Sequence, residues 1–301
     1  MLKQKSAYIF AIIAVLFWST VASAFKISLR YLDVLQLLFY ASFTSIIVLF
    51  IILLTQKKLR LLKTFSKKDY FHSALLGFLN PFLYYVVLFR AYSFLRVQEA
   101  LTLNYTWPIM LLLLSIPLLK QRIGLKSIVA IIISFLGAYI IAVRGNLLSL
   151  NFTNAGGLSL ALGSAVIWSL FWIYNVKDKR DEVAKLFLNF VFGFIFILLS
   201  NLIFSEITKP DFHGLLGAIY VGIFEMGITF IIWLKALRLS RTTAEVSNLI
   251  YLTPFLSLIV INLVVGERIL VSTIIGLILI IAGIVIQQFN PFKRSSLENK
   301  P

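Results

Sequence analysis

Long apolar segments alternate with short polar connections along almost the whole chain. A helix that crosses a bilayer needs about 20 predominantly apolar residues, and segments of that kind occur ten times. They are Ala7 to Phe25, Val34 to Leu54, Tyr70 to Phe94, Val97 to Ile116, Lys126 to Val143, Gly156 to Val176, Val183 to Phe204, Gly214 to Leu239, Thr243 to Val265 and Val271 to Phe289. The pattern predicts an all-α membrane protein with ten transmembrane helices.

The chain also contains an internal repeat. The stretch from Glu99 to Pro108 recurs in degraded form from Glu245 to Pro254, 146 residues later, with Glu, Tyr and Pro at the same spacing. Five spans in each copy is an odd number, so the second half is expected to cross the membrane upside down relative to the first. Inverted repeats are a recurring plan of secondary transporters, in which the site lies between the repeats and access alternates.

The uncharged segment 145–155, rich in Asn, Ser, Thr and Gly, is the predicted linker between the two halves. It leaves 1–144 as the first five-helix repeat, 156–290 as the second and 291–301 as a tail. The polar connections are too short to hold a folded domain, so we expect the activity to lie within the membrane.

Lys and Arg are distributed unequally between alternate connections. With a cytoplasmic N-terminus, 21 of the 28 basic residues fall on the cytoplasmic side and 7 on the other. The positive-inside rule therefore predicts two cytoplasmic termini, in a multi-pass protein of the cell inner membrane.

Composition agrees with this interpretation. The mean hydropathy is +0.96 and only 13% of the residues are charged, whereas soluble domains carry roughly a quarter. The net charge of +16 comes from residues in the connections and not from a basic helix face interleaved with aromatics, so nucleic-acid binding is not expected. Cysteine is absent, which excludes disulfides and thiolate catalysis.

Tryptophan usually gathers at the membrane interfaces, yet Trp18, Trp107 and Trp168 fall near the middle of predicted spans. An indole N–H at that depth needs a partner. Two interpretations are open: an aromatic-lined cavity, or tight helix packing with local hydrogen bonds. Asn104 and Tyr105 adjoin Trp107, and these three are the strongest candidates for substrate recognition.

Glu225 is the only carboxylate clearly inside a predicted span. An ionised group at that depth costs several kcal/mol, so it should be paired, hydrated or protonated. Three roles are open: proton coupling, pairing with a substrate amine, and an internal ion pair with a basic residue.

Pro81, Pro108 and Pro254 lie inside predicted spans, where a missing N–H and a steric clash bend the helix. Each bend either exposes carbonyls to a cavity or only shapes the packing. Asn80, which precedes Pro81, aligns with Glu225 of the other half. The same depth is therefore predicted to be polar or broken in both halves.

The sequence contains no phosphate-binding glycine loop, no metal-ligand spacing and no nucleophile motif. We therefore expect neither an enzyme, nor a cofactor, nor a bound metal.

Several motifs resemble the drug/metabolite transporter superfamily, EamA type. They are Trp18-Ser-Thr in the first span, Asn104 to Pro108 in the fourth, Tyr251 to Pro254 in the ninth and Gly266-Glu267 after it. The resemblance implies export of metabolites, chiefly amino acids, through a central cavity. The first-half motifs look most like the bacterial branch that exports aromatic amino acids.

Carried onto this chain, the resemblance implies a cavity lined by Trp18, Tyr84, Asn104, Tyr105, Trp107, Trp168 and Tyr251. Asn80 joins them as a polar candidate in the third span. Glu225 departs from the small or hydroxyl residues that amino-acid exporters tend to carry at its position.

The expected function is export of small amphipathic metabolites, amino acids including aromatic ones, by alternating access. The alternatives are an exporter of drugs or other metabolites, a non-transporting membrane scaffold and, third, a membrane-embedded enzyme. The expected partners are a small-molecule substrate and the lipid bilayer, with the chain a monomer or a weak homodimer.

Overall fold

The computed structural model describes residues 2–95, 100, 103–148, 154–205, 210–265 and 270–288, and the regular elements within these ranges are all helical. The α-helices are α1 Leu2–Ser28, α2 Val34–Thr55, α3 Leu59–Leu62, α4 Lys67–Gly77, α5 Tyr84–Phe94, α6 Trp107–Leu119, α7 Leu125–Ala142, α8 Ala155–Lys177, α9 Glu182–Phe204, α10 Phe212–Val221, α11 Ile228–Leu239, α12 Thr243–Ser247, α13 Leu252–Val265 and α14 Val271–Gln288.

Within the described ranges, seven helical stretches are long and apolar enough to cross a bilayer, and two further apolar helices are shorter. The seven are Lys3–Phe25, Val34–Thr55, Lys67–Ala91, Leu125–Ala142, Ala155–Lys177, Glu182–Phe204 and Phe212–Leu239, and the shorter two are Trp107–Leu119 and Val271–Gln287. The prediction of an all-helical membrane protein is confirmed. The number of ten crossings and the cytoplasmic position of both termini stay predictions.

Some sequence-based predictions fall outside the described residues. They concern Glu99 at the start of the repeated stretch, 149–153 of the linker, Gly266-Glu267 and the tail 291–301.

The outward faces of the helices are apolar. Phe71, Phe204 and Ile203 are 67%, 76% and 70% exposed, in positions where a soluble protein would place polar side chains. Contiguous exposed apolar surface of this kind marks contact with another apolar phase, here the lipid chains.

Two spans are interrupted at equivalent depths. The segment Phe78–Leu83 joins α4 to α5 across a kink, and the segment Gly222–Gly227 joins α10 to α11 as a turn of π-helix. Asn80 lies in the first with non-helical angles (φ −156°, ψ 125°), and Glu225 lies in the second. The prediction that the same depth is polar or broken in both halves is confirmed. A turn of π-helix like that at Gly222–Gly227 is frequent at functional sites.

Two more spans are broken next to the repeated prolines. Pro108 stands at the start of α6, after a turn at Tyr105 and Thr106. Pro254 is the third residue of α13, which follows a single 3-10 turn, Asn248–Tyr251. The sequence predicted bends at these two prolines, and the α-helix is interrupted just before each of them. Pro108 lies in the first turn of α6, where a missing N–H costs nothing because that turn has no partner for it.

Glycines allow helices of the two halves to cross closely. A Cβ at Gly77 would overlap the Asn189 carbonyl on α9, and a Cβ at Gly222 would overlap the Ala41 carbonyl on α2. These two crossings are equivalent in the repeat. On the other flank, α7 packs along α14, where Gly137 meets the Gly276 backbone.

Ion pairs and hydrogen bonds join the connections at one end of the bundle. Asp181 pairs with Lys58 at 2.6 Å and Arg238 pairs with Glu182 at 2.7 Å. Lys185, near the start of the seventh predicted span, lies inside α9 with a fully buried side chain. Its Nζ donates to the carbonyls of the residues that end α8. These residues belong to the connections predicted to be cytoplasmic.

Acid should weaken this end of the bundle through Asp181. Burial raises the pKa of its carboxyl. The Lys58 ammonium and the N–H groups of Val183 and Ala184 lower that pKa by more than burial raises it, so the pKa lies below the usual value of 3.8. The ionised Asp181 carboxylate thus stabilises the folded chain above pH 3.8. That contribution is lost as the pH falls through the pKa of the folded state. Asn can still cap the helix, so Asp181→Asn removes only the ion pair. The free energy of unfolding should fall by about 0.2–1 kcal/mol near neutral pH.

That prediction is checked by thermal unfolding in detergent from pH 7 to pH 3. The gap in melting temperature between the wild type and Asp181→Asn should narrow toward the acid end, and a constant gap would contradict the assignment. Asp33→Asn, which alters the exposed N-cap of α2, is the control.

Candidate functional site

Four tryptophans form a closed ring at the centre of the bundle. Trp18 on α1 lies 6.2 Å from Trp168 on α8 and 5.3 Å from Trp233 on α11, between ring centroids. Trp107, the first residue of α6, lies 6.2 Å from Trp168 and 5.8 Å from Trp233. Two members come from each half of the chain. Trp172 packs behind the ring, 5.7 Å from Trp168.

A cavity of about 180 Å³ lies beside this ring. Its walls carry seven of the residues proposed from the sequence and four others. The seven are Trp18, Tyr84, Asn104, Tyr105, Trp107, Trp168 and Glu225, and the four are Val21, Phe25, Ile250 and Thr253. Both halves therefore contribute to one chamber with aromatic walls, in agreement with the cavity that the resemblance implies.

Asn104 supplies an amide to the cavity wall. Its Nδ2 donates to Ser164 Oγ at 3.2 Å and to Tyr84 Oη at 3.3 Å. These contacts fix the amide between α5 and α8, at the break where span four is interrupted. The backbone next to it is held as well, since Ser169 Oγ donates to the Trp107 carbonyl at 3.0 Å.

Glu225 supplies the carboxylate of the site. Its Oε1 accepts a hydrogen bond from Tyr85 Oη at 3.1 Å, and its carbonyl accepts one from Trp18 Nε1 at 3.4 Å. In the part of the chain that the structure describes, none of its ion pairs involves Glu225. The internal ion pair, one of three roles left open by the sequence, is absent there.

Two predicted site residues lie away from the cavity. Tyr251 is fully buried, with its ring 6.2 Å from Phe135 on α7, because the 3-10 turn before α13 shifts the helical phase. Asn80 is also fully buried, and neither of its side-chain polar atoms has a partner among the described residues. Its extended backbone angles turn it out of the helical path. Neither is among the residues that line the cavity, and their part in substrate binding stays a prediction.

Four residues that line the cavity were not among the predicted site residues, and two kinds of sequence signal point to them. Ile250 and Thr253 are the repeat equivalents of Asn104 and Trp107, so the internal symmetry alone could have found them. Val21 and Phe25 follow Trp18 at helical spacing on one face of α1.

The expected partners for indole N–H groups are found only in part. Trp18 has one, but the Nε1 atoms of Trp168, Trp172 and Trp233 have none among the described residues. Trp172 and Trp233 are fully buried in edge-to-face packing, which orients rings favourably without a conventional acceptor. Trp168 differs because it reaches the cavity.

A metal site needs several convergent His, Asp or Glu side chains. Over the ranges described above, no group of three or more such residues is close enough to hold an ion.

Comparison with known proteins agrees with this geometry. A protein of Clostridium kluyveri described as an uncharacterized transporter is 27% identical over 306 residues, which cover 98% of this chain and 97% of its own. YoaV of Bacillus subtilis, described in the same way, is 23% identical and covers 93% and 95% of the two chains. A solved crystal structure at 20% identity superposes with a TM-score of 0.80 over 94% of this chain and 97% of its own, which shows the fold.

The profile of the EamA-like transporter family matches residues 5–143 and again 155–287. Two family repeats in succession account for a chamber built from both halves. The chain, a multi-pass integral membrane protein, belongs to the EamA-like transporter family.

Proposed function

We propose that this protein exports small amphipathic metabolites, amino acids including aromatic ones, across the cell inner membrane by alternating access. The observation that carries the proposal is the chamber between the halves. Its indole and phenol faces suit an apolar or aromatic side chain, and its polar groups, Asn104 and Glu225, suit the polar end of such a molecule.

The size of the chamber favours metabolites over drugs. Its volume is about 180 Å³, whereas pockets for drug-sized ligands typically measure about 300–1,000 Å³. Amino acids and molecules of similar size are therefore the better match.

Alternating access draws support from the four interrupted spans. Transporters with inverted repeats commonly build their site from discontinuous helices and move one repeat against the other. In the proposed topology, with ten crossings and both termini cytoplasmic, the ion pairs of Lys58 and Arg238 lie at the cytoplasmic end. They would have to break for substrate to enter from the cytoplasm.

The proposal is tested by amino-acid flux in proteoliposomes, with and without a proton gradient. Flux of aromatic amino acids is expected, and its response to the gradient reports whether protons are coupled. Absence of flux for every amino acid would contradict the proposal. The two alternatives from other classes predict different results. A membrane scaffold would still bind its partner after Trp107→Ala, and a membrane-embedded enzyme would turn over substrate in detergent, where no gradient exists.

In the same assay, Asn104→Ala should lower the apparent affinity for amino acids by roughly tenfold to a hundredfold. This is the range of one hydrogen bond to a charged group, here accepted by Asn104 Oδ1 from the substrate ammonium. Trp107→Phe should change the ranking of side chains, because the shorter ring leaves space in the wall. Trp172→Phe is the matched control, since Trp172 is fully buried outside the cavity. Equal effects at Trp107 and Trp172 would point to packing instead of recognition.

A further inference from the structure

The charge of the cavity wall is unbalanced. Glu225 is its single carboxylate, and no Lys, Arg or His side chain is among the lining residues that the structure describes. The ion pairs of the described ranges lie at the ends of the helices, as with Lys58 and Asp181. The polar neighbour of the Glu225 carboxylate is instead the neutral hydroxyl of Tyr85, at 3.1 Å.

A carboxylate in a dry site is costly unless a cation compensates it. The described lining residues supply no such cation, so Glu225 is hydrated or protonated while the cavity is empty. An ion pair at Glu225 then requires a cation carried by the bound molecule. An ammonium group provides both a positive charge and donors for the carboxylate oxygens, and charge-assisted hydrogen bonds of this kind are the strong ones.

The aromatic walls favour the same charge. Trp18, Trp107, Trp168 and Tyr84 surround the cavity, and the faces of such rings attract cations, tryptophan most strongly, with more effect where water is excluded. A carboxylate placed against these faces would meet their negative side.

A substrate carboxylate finds weak compensation in this chamber. The amide nitrogen of Asn104 already donates to Ser164 and Tyr84. Thr253 Oγ1 and Trp168 Nε1, which have no partner among the described residues, are neutral donors. They can orient an oxygen atom, but they carry no charge to offset an anion placed near Glu225.

We infer that the cavity selects its substrate through an ammonium group paired with Glu225, so that an aromatic amine lacking a carboxylate binds more tightly than the corresponding amino acid. The inference rests on the proposed function and narrows its substrate class toward monocationic aromatic amines. A matching aromatic acid without an amine is excluded by repulsion from Glu225.

Three compounds with the same phenyl group separate the charges. They are 2-phenylethylamine, a cation; phenylalanine, a zwitterion; and 3-phenylpropionate, an anion. Binding to the purified full-length chain is measured by intrinsic fluorescence, because all five tryptophans belong to the cluster around the cavity, and by calorimetry. 2-Phenylethylamine should bind at least about tenfold more tightly than phenylalanine, the equivalent of one charge-assisted hydrogen bond. 3-Phenylpropionate should not compete with the amine for binding.

Glu225→Gln should bring the amine and phenylalanine to within about threefold of each other, because the group that distinguishes them is lost. Asp211→Asn, at the exposed N-cap of α10 and outside the cavity, should keep the wild-type ranking. The ranking in the wild type stands as a test on its own if Glu225→Gln does not fold.

Phenylalanine binding as tightly as the amine, competition by 3-phenylpropionate, or a preference for the amine retained in Glu225→Gln would each overturn the inference. In those cases amino-acid flux in proteoliposomes would still support the proposed transport function. Absence of both binding and flux for every compound would overturn the proposed function and the inference with it.

Discussion

Gly77→Ala is expected to destabilise the bundle severely, although alanine is the better helix former by about 0.5–1 kcal/mol. The added Cβ would overlap the Asn189 carbonyl and lie 2.7 Å from the Gly193 backbone nitrogen. Both obstacles are main chain, so no side-chain rotation relieves the contact and the helices must separate. The cost should reach or exceed the roughly 1–3 kcal/mol typical of overpacked sites.

Thermal unfolding in detergent, followed by size-exclusion chromatography, measures the effect. Gly163→Ala is the matched control, because a Cβ at Gly163 on α8 would meet nothing within 4 Å. It should be neutral or stabilising. Gly222→Ala, at the equivalent crossing in the other half, should repeat the defect of Gly77→Ala. A wild-type melting temperature for Gly77→Ala would mean that α4 and α9 are not packed as described.

Lys185→Met is expected to have the next largest effect. The buried ammonium donates to the Asn175 carbonyl and, at 2.8 Å, to the Asp178 carbonyl, where the last turn of α8 has no helical partners. Methionine fills the space without donating. Each buried carbonyl left unpaired costs about 1–3 kcal/mol, and Arg238 still serves Asp178, so most of the loss falls on Asn175.

The melting temperature should fall by about 2–4 °C for each kcal/mol. Lys179→Met removes an exposed lysine of the same connection and should leave unfolding almost unchanged. Similar losses from the two variants would argue for a general charge effect at this end. Lys185→Arg should also lower the melting temperature, because the larger guanidinium does not fit a fully buried site.

Much of the chamber was predictable from residue type and spacing. Trp18, Trp107 and Trp168 are indoles at depths where lipid contact is unfavourable, and such positions point inward. The alignment of Asn80 with Glu225 predicted two interruptions at one depth, because a proline next to a polar residue and a buried carboxylate both disturb a helix there. These inferences depend on single residues and on the repeat, not on exact helical phase.

Sequence reasoning did not capture two features: the helical phase after a 3-10 turn and the contacts of a long buried side chain. Tyr251 aligns with Tyr105 in the repeat, but the 3-10 turn Asn248–Tyr251 advances the chain differently from an α-turn and aims the ring at α7. Lys185 follows a charged run at the start of a predicted span, and its fully buried ammonium reaches the backbone carbonyls of Asn175 and Asp178. Neither outcome can be read from hydropathy, which records polarity but not what a side chain touches.

The packing of α7 along α14 joins residues that are each other's repeat equivalents. Ser134 Oγ donates to the Ile280 carbonyl at 3.4 Å, and these two positions are separated by the same 146 residues as the two copies of the repeated stretch. In the proposed inverted-repeat arrangement, a contact between equivalent residues lies where the two halves meet symmetrically. If the halves exchange conformations, as in the proposed alternating access, the contact is the same before and after the exchange. We therefore expect α7 and α14 to stay in place while the other helices tilt around them.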